Sequence, residues 1–168
     1  MVINSCTKGV YRMEQTKTAY AETTHIVMSE DINQLGNLHG GTLMQWVDII
    51  GAVAATRHAH STVTTAALDS MDFKHPVPLG AIVTLQAAVT WTGRTSLEVR
   101  VDVYSEKSNC VVKKRTNTAY LVFVALGYDG KPHEVPPFTP RTDSEKREYE
   151  RAARRREARL ARKNSEEE

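Results

Sequence analysis

The strongest pattern along the chain is a segment in which polar and apolar residues do not alternate. From Ile32 to Thr56 the one formally charged residue is Asp48, set among Met44, Trp46, Val47, Ile49, Ile50, Val53 and three alanines. Apolar residues lie all around this segment rather than on one stripe, which predicts a helix enclosed by other structure and running to about His58. Before it, Thr18 to Met28 is dominated by Thr, Tyr, Ile and Val and reads as a strand. Four strand-like runs follow, at roughly 62–73, 81–92, 95–105 and 115–126. The third is the clearest. Leu97, Val99, Val101 and Val103 alternate with Ser96, Glu98, Arg100, Asp102 and Tyr104, predicting one dry face and one wet.

Turn residues separate these runs: Pro76, Pro78 and Gly80 in one connection, Thr92-Gly93-Arg94 in the next, Ser105 to Asn109 in the third. Short connections between successive strands predict an antiparallel meander. One strand, one long buried helix and four more strands predict an α+β fold, a curved antiparallel sheet wrapped around a central helix. The sheet's other face would meet water or another subunit. From Thr142 the pattern changes. Thr142-Asp143-Ser144-Glu145 is a capping-box sequence after Pro136, Pro137 and Pro140, and a highly charged helix is predicted to follow. The chain divides into a polar, unpatterned tail (1–17), one domain (18–140), and a charged C-terminal helix with an acidic tail (141–168).

Composition narrows the function classes. At 168 residues, with 40% hydrophobic residues and a formal charge of +2, the chain reads as one soluble globular domain. Nine Lys/Arg face three Glu between Lys146 and Lys163, yet residues 143–168 together hold nine positive and eight negative charges, net +1. Tyr149, Ala152, Ala153 and Leu160 make only a thin apolar stripe. That balance favours a solvated or subunit-packing helix over a nucleic-acid arm. With so little burial expected, truncation after Phe138 is expected to keep turnover per folded site. No apolar run reaches membrane-spanning length without Asp48 interrupting it, and no secretory pattern opens the sequence. Cys6 and Cys110 make neither metal spacing nor a disulfide framework. A cytoplasmic protein with no nucleic-acid or membrane partner is expected.

The candidate chemistry lies in Gly36-Asn37-Leu38-His39-Gly40-Gly41 and Asp48. Two glycines at a helix start let backbone approach a ligand where N–H groups lack intrahelical partners. Those N–H groups and the positive end of the helix dipole favour a carbonyl gaining negative charge. A carboxylate in apolar surroundings costs energy unless compensated. Each feature also has a plainer reading: Asp48 as a structural residue bonded to nearby backbone, His39 as a helix-start residue, the glycines as a turn.

That motif, then Asp48, then Val63 to Phe73 with its Ala-Leu-Asp-Ser-Met-Asp-Phe, resembles the hotdog-fold acyl-CoA thioesterases, in the branch of the cytosolic acyl-CoA hydrolases. The likeness extends from about Thr18 to Pro137 and to the charged helix after a Pro-rich link. It implies hydrolysis of an acyl-CoA thioester to a free acid and CoA, by a homodimer at minimum and commonly a trimer of dimers. It implies Asp48 as the catalytic acid, either general base on water or nucleophile on the acyl carbon. Asn37 matches the residue holding the water or the thioester. A base near neutral pH must be ionised while an apolar setting raises its proton affinity, and Asp48 suits both demands. His39, Gly40 and Gly41 are the candidates for polarising the thioester oxygen. Arg94 and Ser96, in Gly93-Arg94-Thr95-Ser96, match the family's CoA-phosphate contact, with Arg57 and His58 second. No metal and no cofactor beyond the substrate's own coenzyme A is implied. His25, His58, His60, His75 and His133 are scattered and read as structural; Asp69 is left unassigned.

Asn37 and Asp48 lie eleven positions apart, roughly 15 Å along one helix axis. Two antiparallel helices about a two-fold axis would bring Asn37 of one chain to Asp48 of the other, so a shared site is expected. Two other classes compete: a non-catalytic hotdog acyl-CoA sensor, against which no helix-turn-helix is visible, and a hotdog hydratase, whose His-containing motif the surroundings of His39 do not match.

Overall fold

The computed structural model describes residues 19–71, 75–107 and 110–166. The tail at 1–17 lies outside the described residues, as do Asp72 and Phe73 of the motif. The elements run β1 (Tyr20–Ile26), α1 (Gly40–Ala59), β2 (Thr62–Met71), β3 (Ile82–Thr92), β4 (Ser96–Lys107), β5 (Cys110–Leu126) and α2 (Asp143–Glu166), with a 3-10 turn at Ser29–Asp31. All strand pairs are antiparallel, in the order β1-β3-β4-β5-β2.

Only β3, β4 and β5 form the expected meander. β2 lies beyond β5 at one edge, so β2 and β3 are not neighbours. The chain instead crosses past the start of α1: Leu38 N–H donates to Val77 O at 2.7 Å, and Asn37 bridges Pro78. Gly80, at φ 77°, then turns the chain into β3. There Gly80 N–H donates to Val27 O and Val27 N–H to Ala81 O, both at 2.9 Å. Pro76 and Pro78 lack the N–H groups a hairpin would need.

α1 contacts all five strands. Its Leu43, Val47, Ile50, Ala54, Ala55 and Ala59 are buried against a sheet face whose β4 residues Leu97, Val99, Val101 and Val103 have no exposed surface. Gly51 permits this close approach, because a Cβ there would stand 3.1 Å from the Phe123 ring. The expected enclosure holds for one side only. Met44 is 42% and Ile49 55% exposed, so among the described residues the helix has apolar side chains that nothing covers.

The expected wet face of β4 is not wet, because α2 lies on it. Glu98 is 2% exposed. Its carboxylate accepts from Thr90 Oγ1 at 2.7 Å and from Arg155 through two bonds, Nε at 3.1 Å and Nη2 at 2.8 Å. Arg155 also donates to Glu148 at 2.8 Å and stacks 3.7 Å over the Tyr120 ring. Burial alone would lower the Arg155 pKa, but the Glu98 and Glu148 carboxylates more than offset this and hold it above the ordinary value. Arg100 pairs with Asp102 at 2.9 Å and Glu148 at 3.3 Å, and Arg159 pairs with Asp69. The expectation for α2 as solvated or subunit-packing is therefore amended on one face only, the rest of the helix being mostly exposed. It docks on its own sheet through complementary charge, with Ala152 of the stripe buried but Leu160 43% exposed. The capping box forms as expected: Glu145 N–H donates to Thr142 Oγ1 at 3.1 Å and Thr142 N–H to Glu145 Oε2 at 2.9 Å.

On β1, His25 stacks on Trp46 of α1, ring centroids 4.2 Å apart and planes within 8°. Burial holds the imidazole below its usual pKa, with Asp31 opposing weakly. The unfolded chain therefore binds this proton more readily than the folded one. The contribution to stability is present above about pH 6.5 and lost as pH falls through the depressed folded value. The denaturation midpoint should fall below about pH 6.5, less steeply in His25→Phe, which keeps the ring stack. Equal slopes in the two proteins would discharge His25 from this role.

Candidate active site

Asp48 lies mid-helix on α1, half-buried, and its Oδ1 accepts from Thr65 Oγ1 at 2.7 Å. Among the described residues its other oxygen has no protein partner. Thr65 comes from β2, where the register against β5 slips: Thr65 stands opposite Phe123, Ala67 opposite Val122, and Ala66 is the extra residue. Such bulges bend a strand and re-aim a side chain. The bond fixes the carboxylate's orientation and leaves one oxygen to take a proton. Sequence reading did not single out Thr65, one of three threonines between Thr62 and Thr65 in an ordinary strand pattern.

The loop before α1 is held by its own asparagine. Asn33 Oδ1 accepts from Leu35 N–H at 2.9 Å and Asn37 N–H at 3.3 Å, and Gly36, at φ 75°, closes the turn with its N–H on Asn33 O. Asn37 is pinned by its backbone; its side-chain amide reaches Leu35 O only at 3.4 Å. A cavity of about 410 Å³ opens here, lined by Asn33, Asn37, Gly40, Leu43, His75 and Asn117 among others. Asp48 and Thr65 are not among the residues that line it.

His39 is the N-cap of α1: its Nδ1 accepts from Gly41 N–H at 2.9 Å. A Cβ on Gly41 would meet that ring at 3.1 Å, which accounts for the glycine. The plainer reading of His39 is the one the geometry displays, and it occupies Gly41 N–H. Gly40 lies on the cavity wall, and the cap bond does not engage its N–H.

Of the proposed CoA contacts, Arg94 and Ser96 share one turn, while Arg57 is engaged elsewhere. Arg94 is exposed in the β3–β4 turn, its carbonyl accepting from Val135 N–H at 3.0 Å, and Gly93 N–H closes the turn on Ser96 O at 2.7 Å. Ser96 opens β4 beside it. Arg57, by contrast, donates to Tyr20 O at 2.7 Å on β1, so its guanidinium holds an edge strand. His58 Nε2 lies 2.8 Å from Pro136 O.

A long helix wrapped by an antiparallel sheet, with a half-buried carboxylate oriented by a strand hydroxyl, defines a hotdog-fold hydrolase. The family model of the thioesterase superfamily matches residues 35–112. The uncharacterized acyl-CoA thioester hydrolase YkhA of Bacillus subtilis is 36% identical over 138 residues, covering 79% of this chain and 80% of that protein. The chain belongs to the thioesterase superfamily, in its acyl-CoA thioester hydrolase branch.

Among solved structures, an apo-hexameric acyl-CoA thioesterase matches at TM-score 0.83 and 40% identity, covering 86% of this chain and 93% of that one. An acyl-CoA hydrolase of Staphylococcus aureus, solved with butyryl coenzyme A, coenzyme A and coenzyme A disulfide, matches at TM-score 0.83 and 35% identity, covering 89% and 92%. Variant structures of that hydrolase alter an asparagine, an aspartate fifteen residues after it, and a threonine seventeen residues after that. In this chain Asn33, Asp48 and Thr65 repeat both spacings.

Proposed function

We propose that the protein hydrolyses acyl-CoA thioesters with Asp48 as general base, in a site completed by the asparagine loop of a second copy of the chain. The observation that carries this reading is the Asp48–Thr65 bond, which orients a half-buried carboxylate with one oxygen open. The open oxygen takes a proton from water, and the hydroxide adds to the thioester carbonyl carbon. Charge then collects on the carbonyl oxygen, where Gly40 N–H and the dipole of α1 stabilise it. The C–S bond breaks and the CoA thiolate leaves, taking up a proton. Water is the only co-reactant, and no metal or cofactor enters.

The spacing shared with the Staphylococcus aureus variants adds Asn33 beside Asn37 as a polar group for the thioester or water. Both line the cavity at Gly40, whose lining does not include Asp48. α1 carries exposed apolar side chains at Met44 and Ile49, and among the described residues the outer edge of β2 has no strand partner. A second copy placed there about a two-fold axis covers both and sets the two helices antiparallel. Hexameric relatives support a trimer of such dimers.

The test is thiol release from a panel of acyl-CoAs, read as CoA formed against time. Turnover is expected. Tight binding of acyl-CoA without thiol release would replace the reading by a non-catalytic acyl-CoA-binding protein. In the same assay Arg94→Ala should raise KM several-fold with kcat little changed, because a phosphate contact contributes equally to ground and transition states. The effect should vanish on an acyl-pantetheine substrate lacking the nucleotide phosphates. An equal loss on both substrates would remove the phosphate assignment.

A further inference from the structure

We propose that α2 positions the catalytic strand: the Arg159–Asp69 ion pair holds β2 from the outer face and thereby keeps Thr65 aimed at Asp48. The activity readout rests on the thioesterase reading; the structural readout below does not.

Among the described residues β2 is an edge strand, bonded to β5 alone. Its register slips twice within a few residues, between Thr65 and Ala67 and again between Leu68 and Ser70, so Ala66 and Asp69 are both extra residues. Each slip interrupts the ladder and leaves a residue outside it. A strand bonded on one side and interrupted twice is weakly held by backbone, yet it must deliver Thr65 Oγ1 to within 2.7 Å of Asp48. Side chains supply the hold. On the inner face Thr65 reaches α1; on the outer face the Asp69 carboxylate, 8% exposed, pairs with Arg159 of α2.

A carboxylate so buried needs a cation, and Arg159 is presented from a fixed platform. One helical turn earlier, Arg155 makes its two bonds to Glu98 on β4 and a further one to Glu148. α2 is thus tied to the centre of the sheet by Arg155 and to the catalytic edge by Arg159. Four positions separate the clamped Asp69 from Thr65. If the outer hold is released, the doubled bulge relaxes and the hydroxyl leaves the carboxylate. This assigns Asp69 and Arg159 as positioning residues and opposes the expectation that α2 is dispensable for turnover.

The test compares Arg159→Ala, Arg159→Lys, the exchanged pair Asp69→Arg with Arg159→Asp, and Arg156→Ala as control. Arg156 stacks on Trp91 of β3 at 5.2 Å, so its loss disturbs α2 docking away from β2. Arg159→Ala should lower kcat about tenfold to a hundredfold with KM nearly unchanged, the scale of a misplaced catalytic group. Arg159→Lys and the exchanged pair should recover most of that loss, and Arg156→Ala should keep wild-type kcat. Amide hydrogen exchange gives the arm independent of catalysis: β2 amides around Thr65 should exchange faster in Arg159→Ala while those of α1 and β4 do not. Wild-type kcat in folded, correctly assembled Arg159→Ala, or unchanged exchange in β2, would overturn the proposal. Absent thiol release by the wild type would instead strike the thioesterase reading and leave the exchange arm to decide.

Discussion

Asp48→Asn is expected to lower kcat by about 10²–10⁴-fold, the usual contribution of a general base. The amide is nearly isosteric and can still accept from Thr65 through its carbonyl oxygen, so fold and assembly should survive. It cannot take a proton from water. The mixing experiment then asks which chains build the site. Asp48→Ala chains are combined with chains altered to alanine at both Asn33 and Asn37, each population nearly inactive alone. With random exchange about half the dimers are mixed, and each holds one intact and one doubly damaged site. Activity should recover to roughly a quarter of wild type. No recovery, with subunit exchange confirmed independently, would place both groups in a site made by one chain. The cavity lining speaks for recovery, since Asn33 and Asn37 meet at the helix start while Asp48 faces Thr65 further along.

The largest expected loss of stability comes from Arg155→Met. Glu98 is 2% exposed, and without Arg155 its carboxylate keeps only Thr90 as a donor among the described residues. Breaking a buried pair by removing one partner costs about 3–5 kcal/mol, because the remaining charge cannot regain water. For a chain of this size that is about a 10 °C fall in Tm. Pairing Arg155→Met with Glu98→Gln should restore most of it, since the neutral amide can still accept from Thr90. If the double variant is no more stable than the single, the cost lies in lost packing over Tyr120 rather than in the stranded charge. Deleting α2 altogether returns Glu98 to water, so truncation after Phe138 tests the hold on β2 rather than this penalty.

Much of the frame was legible in the sequence because burial imposes local periods. The dry series Leu97, Val99, Val101 and Val103 is fully buried as its alternation required, and the uncharged run around Asp48 is a helix that touches every strand. The Thr142–Glu145 box and the glycine turn at Gly93 depend only on neighbours in the chain, and both formed. Asp48 stood out for the same reason, as one charge in an apolar helix.

What required tertiary structure involves partners that sequence distance hides. The place of β2 beside β5 depends on a crossover past α1, and short connections alone suggested a hairpin with β3. Thr65 could not be told from its neighbouring threonines until a bulge turned it toward a carboxylate seventeen residues earlier. His39 and Gly41 looked like a pair for a ligand until the cap joined them to each other. The same holds for the charged faces of β4 and α2. Each by itself reads as solvated, because an isolated charge is stable only in water. Brought together, Glu98 and Arg155 replace that water with each other, and a face that either segment alone would have left wet is buried.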